Sequence, residues 1–167
     1  MNKILVNYNN LYRYYQIELL NLKILEEKKE SIRCKYFKVT SSASNTTSTK
    51  TNENRDNYAN YMSELEKEKI LDKIEKKRNE INKLNYYIKK IEYNLSELVG
   101  IEYRLFYKII NGVNISKAVE EVASENCYNN KKPSTVSVIW EKYYPNIKKE
   151  INEFINIQKE VKKMYES

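Results

Sequence analysis

The sequence has little of what sheets, metal sites and disulfide frameworks require. Of its 167 residues only two are glycine and two are proline, so few tight turns are available for a β-sandwich or an α/β sheet. Histidine, the commonest general base and the commonest nitrogen ligand of metals, is absent. The cysteines, Cys34 and Cys127, are isolated and supply neither a zinc-ligand set nor a disulfide framework. The composition predicts an all-α fold in a reducing environment, without metal or other cofactor.

Long apolar runs and catalytic motifs are also missing. No apolar segment reaches the length of a membrane span, and the first residues lack the apolar core of a signal peptide. We therefore expect a cytoplasmic protein with no membrane partner. The sequence holds no glycine-rich loop that would cradle phosphate and no nucleophile with a histidine beside it. An enzyme acting on a small-molecule substrate is the least expected class.

The net charge points only moderately to an anionic partner. The formal charge is +7 and the pI is near 9.1, but lysine, asparagine, isoleucine and tyrosine are all frequent, as in proteins from AT-rich genomes. Residues 1–40 hold eight basic and four acidic side chains, whereas residues 100–145 hold six and five. Two interpretations of the net charge therefore remain open: a basic surface without a specific partner, and a surface that binds nucleic acid.

Two long stretches carry the alternating three- and four-residue spacing of a coiled-coil seam. We predict one helix over residues 8–36 and another over residues 58–94, joined by a polar linker at about 40–57. We expect the two helices to fold back on each other as an antiparallel hairpin over residues 1–95. Pairing between two chains would cover the same apolar positions, so both arrangements remain open. The two seams are Leu11, Tyr15, Glu18, Leu22, Leu25, Lys29, Ile32 and Tyr36, and Ile70, Ile74, Lys77, Ile81, Leu84, Ile88, Ile91, Leu95 and Leu98.

Residues 96–145 have the pattern of a tri-helical helix-turn-helix module. Three apolar-faced stretches follow one another, and Gly112 and Asn114 separate the first two as a turn glycine and an N-cap. Pro133 suits the first turn of the third helix. The apolar positions are Leu98, Ile101, Leu105 and Ile109, then Ala118, Val119 and Val122, then Val136, Ile139, Trp140 and Tyr143.

A final amphipathic helix is predicted over residues 146–167, after a break or kink at Pro145. Its apolar positions are Ile147, Ile151, Phe154, Gln158, Val161 and Tyr165. This face requires a partner, either the hairpin of the same molecule or the equivalent helix of a second copy in a homodimer.

The third helix of the module is the candidate reading element for double-stranded DNA. With Val136, Ile139, Trp140 and Tyr143 turned inward, small polar side chains face outward, where they can contact base edges in the major groove. Trp140 is expected to be a core residue rather than a base-stacking one. Lysines and the helix N-terminus are expected near phosphate. The candidate DNA-binding residues are Lys108, Lys117, Lys131, Lys132, Ser134, Thr135, Ser137, Val138, Glu141 and Lys142.

A resemblance to a known family rests on two segments, LVGIEYRLFYKIINGVNISKAV from Leu98 and PSTVSVIW from Pro133. Together they resemble the region-4-like helix-turn-helix of sigma factors, and the long helical region before them resembles transcriptional regulators of the ArpU and RinA type from phages and mobile elements. The resemblance implies binding to promoter or late-operon DNA, activation of transcription and contact with RNA polymerase. Nothing resembles a sigma region 2.

Two other functions remain open. A phage small terminase subunit also joins a helix-turn-helix to long oligomerising helices and binds packaging-site DNA. A coiled-coil adaptor without a nucleic-acid role would show the same helical pattern. Native mass separates the first from a regulator, and the absence of duplex binding at low salt identifies the second.

Overall fold

The structure, a computed structural model, describes residues 5–37, 50–128 and 136–166, and it describes the backbone alone for residues 50–54 and 126–128. All regular elements in those ranges are helical, so the predicted all-α fold is confirmed. The chain divides into two compact units, one formed by Met1–Tyr15 with Lys83–Ser167 and the other by Gln16–Asn82.

The first three helices are α1 (Tyr8–Tyr36), α2 (Lys50–Lys67) and α3 (Ile70–Ser96). The expected polar linker is therefore wrong for residues 50–57, which belong to α2, while residues 40–49 lie outside the described part. A polar composition did not prevent helix formation, because this stretch contains neither glycine nor proline. The later half of α2 also buries Tyr61 and Leu65, which anchors the helix.

The predicted single helix over residues 58–94 is interrupted, because α2 ends at Lys67 and α3 begins at Ile70. Between them Lys69 adopts a positive φ of 53°. The reason lies in the apolar spacing. Leu65 and Ile70 are both fully buried but five residues apart, a step that would turn an unbroken helix about 140° away from its apolar face. The break between α2 and α3 allows both Leu65 and Ile70 to face the same apolar core.

Within the unit Gln16–Asn82, α1 lies antiparallel to α2 and α3. Lys35 contacts Glu64 at 3.4 Å, and Arg78 contacts Glu26 at 2.9 Å, so partners later in α1 lie earlier in the returning helices. The apolar core of this unit comprises Ile32, Tyr61, Leu65, Ile70 and Ile74. Along both predicted seams every side chain is buried or half-buried.

The described part of the unit formed by Met1–Tyr15 with Lys83–Ser167 contains five further helical elements. They are α4 (Gly100–Ile110), α5 (Ile115–Tyr128), α6 (Val136–Val138), a π-helical turn (Ile139–Tyr143) and α7 (Tyr144–Glu166). Its core includes Leu11, Leu84, Phe106, Val119, Ile139, Ile147 and Phe154. Polar contacts tie its helices together: Asn94 donates to Glu153 at 2.8 Å, and Gln158 donates to the Val6 carbonyl at 2.7 Å. The apolar face of α7 is thus covered by its own chain.

Of the break or kink expected at Pro145, the break is wrong. The chain remains helical from Val136 to Glu166, and Pro145 is the second residue of α7. In a regular α-helix Pro145 would lack its hydrogen bond and its ring would clash with the carbonyl four residues earlier, but the wider hydrogen-bond spacing of the turn before it accommodates the ring. The preceding turn is π-helical, with the Tyr144 amide donating to the Ile139 carbonyl. The third helix of the module and the C-terminal helix are therefore continuous.

None of the helices in the described ranges is both long enough and apolar enough to cross a membrane.

Candidate nucleic-acid interface

The turn between α4 and α5 has the geometry that its sequence predicts. Gly112 has a φ of +100°, a region that side chains with a Cβ rarely adopt. Asn114 caps α5, since its Oδ1 accepts from the Lys117 amide at 2.8 Å. The turn and the cap fix where α5 begins relative to α4.

Apolar and charged contacts hold α5 against α4. Leu105, Phe106, Val119 and Val122 are all fully buried or nearly so. The ammonium of Lys108 lies 3.2 Å from a Glu121 oxygen and 2.7 Å from a Glu125 oxygen. The hydrogen bond with Glu125 raises the pKa of Lys108 and, with Glu121, outweighs the lowering effect of burial. Lys108 is thus engaged within the fold, which argues against the phosphate contact expected for it.

The third helical segment packs through Ile139, which is completely buried. Tyr143 is half-buried, and Trp140, also half-buried, packs against the core with its ring 4.8 Å from that of Tyr144. The expectation of an inward-facing Val136 is wrong, because this side chain is 41% exposed. Helical side chains cover the turn that precedes their own Cα, so the first residue of α6 points beyond the packed part of the helix.

The outward face of this segment carries the expected polar side chains. Ser137, Glu141 and Lys142 are exposed, and Val138 is 39% exposed. Lys142 lies 5.5 Å from the centre of the Tyr143 ring, and Lys117 is exposed in the first turn of α5. Four other candidates, Lys131, Lys132, Ser134 and Thr135, lie outside the described residues.

Asn146 contributes a contact that the sequence analysis missed. Its side-chain amide donates to Glu102 at 2.9 Å and to the Lys142 carbonyl at 3.1 Å. It therefore connects the start of α4 to the third segment just behind Lys142. No local pattern signals this pairing, because the two side chains are 44 residues apart.

Among the residues that the structure describes, no three side chains of His, Cys, Asp or Glu are grouped so that they could hold a metal ion. Comparisons of the chain with protein families, curated proteins and solved structures find no match.

Proposed function

We propose that this protein is a sequence-specific regulator of transcription that binds double-stranded DNA. The observation that carries the proposal is the outward face of the third helical segment. Ser137, Val138 and Glu141 point to solvent, while the neighbouring Ile139 anchors the same helix in the core. A helix fixed from behind with small polar groups in front meets the requirement for entering a major groove.

The exposed side chains have complementary chemistry for base edges. The Ser137 hydroxyl both donates and accepts, the Glu141 carboxylate accepts from the amine of cytosine, and the methyl groups of Val138 suit the methyl group of thymine. Such contacts distinguish base pairs, whereas contacts with phosphate do not. These three residues are therefore assigned to sequence readout.

Positively charged side chains are assigned to the DNA phosphates on either side of the base pairs that these three residues read. Lys142 follows the reading residues on the same helix, and Lys117 is exposed at the start of α5. Lys131, Lys132, Ser134 and Thr135 precede the reading helix in sequence and extend this role. Because residues 100–145 have only one more basic than acidic side chain, phosphate attraction alone supports weak binding. Base contacts have to supply much of the affinity.

The phage and mobile-element affiliation of the proposal comes from the sigma region 4-like pattern. It extends the function to activation at a promoter or late operon through contact with RNA polymerase. A small terminase subunit is the alternative with the same DNA-binding element. Native mass spectrometry separates the two, since a ring of eight or more chains favours the terminase and a monomer or dimer favours the regulator.

The central experiment is selection of bound sequences from a random duplex pool. We expect an enriched motif, and we expect Ser137→Ala and Glu141→Ala to change its sequence. Lys142→Ala should weaken binding to enriched and random duplexes by a similar factor. Lys83→Ala, which removes an exposed lysine from α3, is the matched control and should change neither property. No binding at low salt would reject the proposal in favour of an adaptor without a DNA role.

A further inference from the structure

Helix α1 is apolar on two faces, and the described part of the chain covers one of these faces. The inner face includes the buried Leu11 and Ile32. On the other side Ile17, Leu20 and Ile24 are 50%, 62% and 60% exposed. Because they are three and four residues apart, they lie within an arc of about 60° and form one continuous stripe. An aliphatic stripe of this kind on a helix surface is typical of a contact with another helix.

Opposite charges stand at the two ends of this outer stripe. Arg13 precedes Leu20 by seven residues, Glu27 follows it by seven, and both side chains are exposed. Seven residues make two turns of an α-helix to within about 20°, so both charges lie in line with Leu20. Among the described residues, the ion-pair partner of Glu27 is Lys23, whose ammonium lies 4.0 Å from the carboxylate. The stripe is therefore basic at its start and acidic at its end.

We propose that the outer stripe of α1 binds the same stripe of a second copy in antiparallel orientation. A two-fold axis at Leu20 brings Leu20 against its equivalent and Ile17 near Ile24 of the other copy. It also places Arg13 of each copy beside Glu27 of the other, which gives two complementary charge pairs. A parallel arrangement would instead set Arg13 beside Arg13 and Glu27 beside Glu27. The inference does not depend on the proposed DNA binding.

Sedimentation equilibrium of the full chain over a wide concentration range tests the proposal. We expect a reversible monomer–dimer equilibrium. Leu20→Glu should raise the dissociation constant more than about tenfold, because each dimer then buries two carboxylates at its centre. The matched control is Leu71→Glu, since Leu71 is an exposed leucine on α3, outside the stripe. This control should leave the equilibrium unchanged, and circular dichroism should show both variants folded.

A charge exchange tests the orientation. Arg13→Glu should weaken the dimer roughly tenfold, because two favourable pairs become repulsive. Adding Glu27→Arg on the same chain recreates both pairs with reversed signs and should restore the original dissociation constant. A chain that remains monomeric at about 0.5 mM would overturn the proposal. So would a dimer that tolerates Leu20→Glu, as expected if a different surface mediates it, or a double charge variant that dimerises no better than Arg13→Glu.

Discussion

The ammonium of Lys77 contacts the carboxylate of Glu18, which is buried at 5% exposure in the seam between α1 and α3. Glu80 lies 3.0 Å from the same ammonium. Partial burial lowers the pKa of Lys77, but its hydrogen bonds to Glu18 and Glu80 outweigh that effect, and the pKa is raised above its ordinary value. The negative charge of Glu18 on α1 is thus balanced by the positive charge of Lys77 on α3.

Removing one member of this pair should be costly. We expect Lys77→Met to lower the free energy of unfolding by about 3 kcal/mol, because it leaves the Glu18 carboxylate buried without its cation. The double variant Glu18→Gln with Lys77→Met should recover most of the loss. Urea unfolding followed by circular dichroism measures both. Lys76→Met removes an exposed neighbouring lysine and serves as the control. Equal effects of Lys76→Met and Lys77→Met would contradict this role for the pair.

The contacts of Lys108 with α5 predict a dependence of stability on alkaline pH. Its pKa is raised above the ordinary 10.5, chiefly by Glu125, so the folded state holds this proton more tightly than the unfolded state does. The stabilisation is therefore complete below about pH 10.5 and disappears as the pH rises through the raised pKa. We expect Lys108→Met to cost about 1 kcal/mol at pH 7, a modest value because the partners are partly exposed.

Unfolding of wild type and Lys108→Met between pH 7 and pH 12 checks this expectation. The difference between them should stay constant at first and narrow above pH 10.5. Lys117→Met, which removes an exposed lysine from the next helix, should match wild type throughout. A difference that stays constant up to pH 12 would show that Lys108 stabilises the fold by packing rather than by its charge.

Trp140 should contribute less to stability than a fully enclosed tryptophan. Because it is half-buried and packs edge-on against Tyr144, we expect Trp140→Ala to cost about 2 kcal/mol rather than the ~3–5 kcal/mol of a completely buried ring. Trp140→Phe should cost less, since it keeps an aromatic contact with Tyr144. Chemical denaturation followed by far-ultraviolet circular dichroism gives both values. A loss of ~4 kcal/mol or more for the alanine variant would mean that the ring is fully enclosed.

The turn at Gly112 should tolerate alanine poorly. We expect Gly112→Ala to reduce the free energy of unfolding by about 1–2 kcal/mol, because its φ of +100° is strained for a residue with a Cβ. The cost comes from the backbone and not from crowding, since the added Cβ would be 3.5 Å from its nearest neighbour, Asn7. Ser124→Ala, an exposed alanine substitution on α5, is the control. A melting temperature equal to that of wild type would contradict the prediction.

The helical seams and the α4–α5 turn could be predicted because their causes are local. Apolar spacing placed every seam position of α1 and α3 at least partly out of solvent, and Gly112 and Asn114 marked the turn. The break at Lys69 could not be predicted from propensity, because it arises from the need to bury both Leu65 and Ile70. The continuity through Pro145 was missed for a related reason: packing of Ile139 and Ile147 keeps both sides helical.

The candidate interface could be predicted only in part. The periodicity of the third segment correctly predicted that Ile139 is buried and that Ser137 and Glu141 are exposed. It could do so because Ile139 lies on the opposite side of the helix from the other two. It failed for Val136, whose position at the helix start decides its exposure. It also gave no sign that Lys108 is engaged by Glu121 and Glu125, since ion pairs between helices depend on tertiary packing.

The π-helical turn at Ile139–Tyr143 holds one residue more than a regular α-helix needs for the same turn. A π turn closes its hydrogen bonds over five residues, whereas an α turn closes them over four. Because either turn completes about one revolution, deleting one residue here would leave a regular α-helix in which Ser137 and Val138 face nearly the same direction relative to α7. A single-residue deletion in this turn thus shortens the helix while the exposed side chains before it keep their orientation.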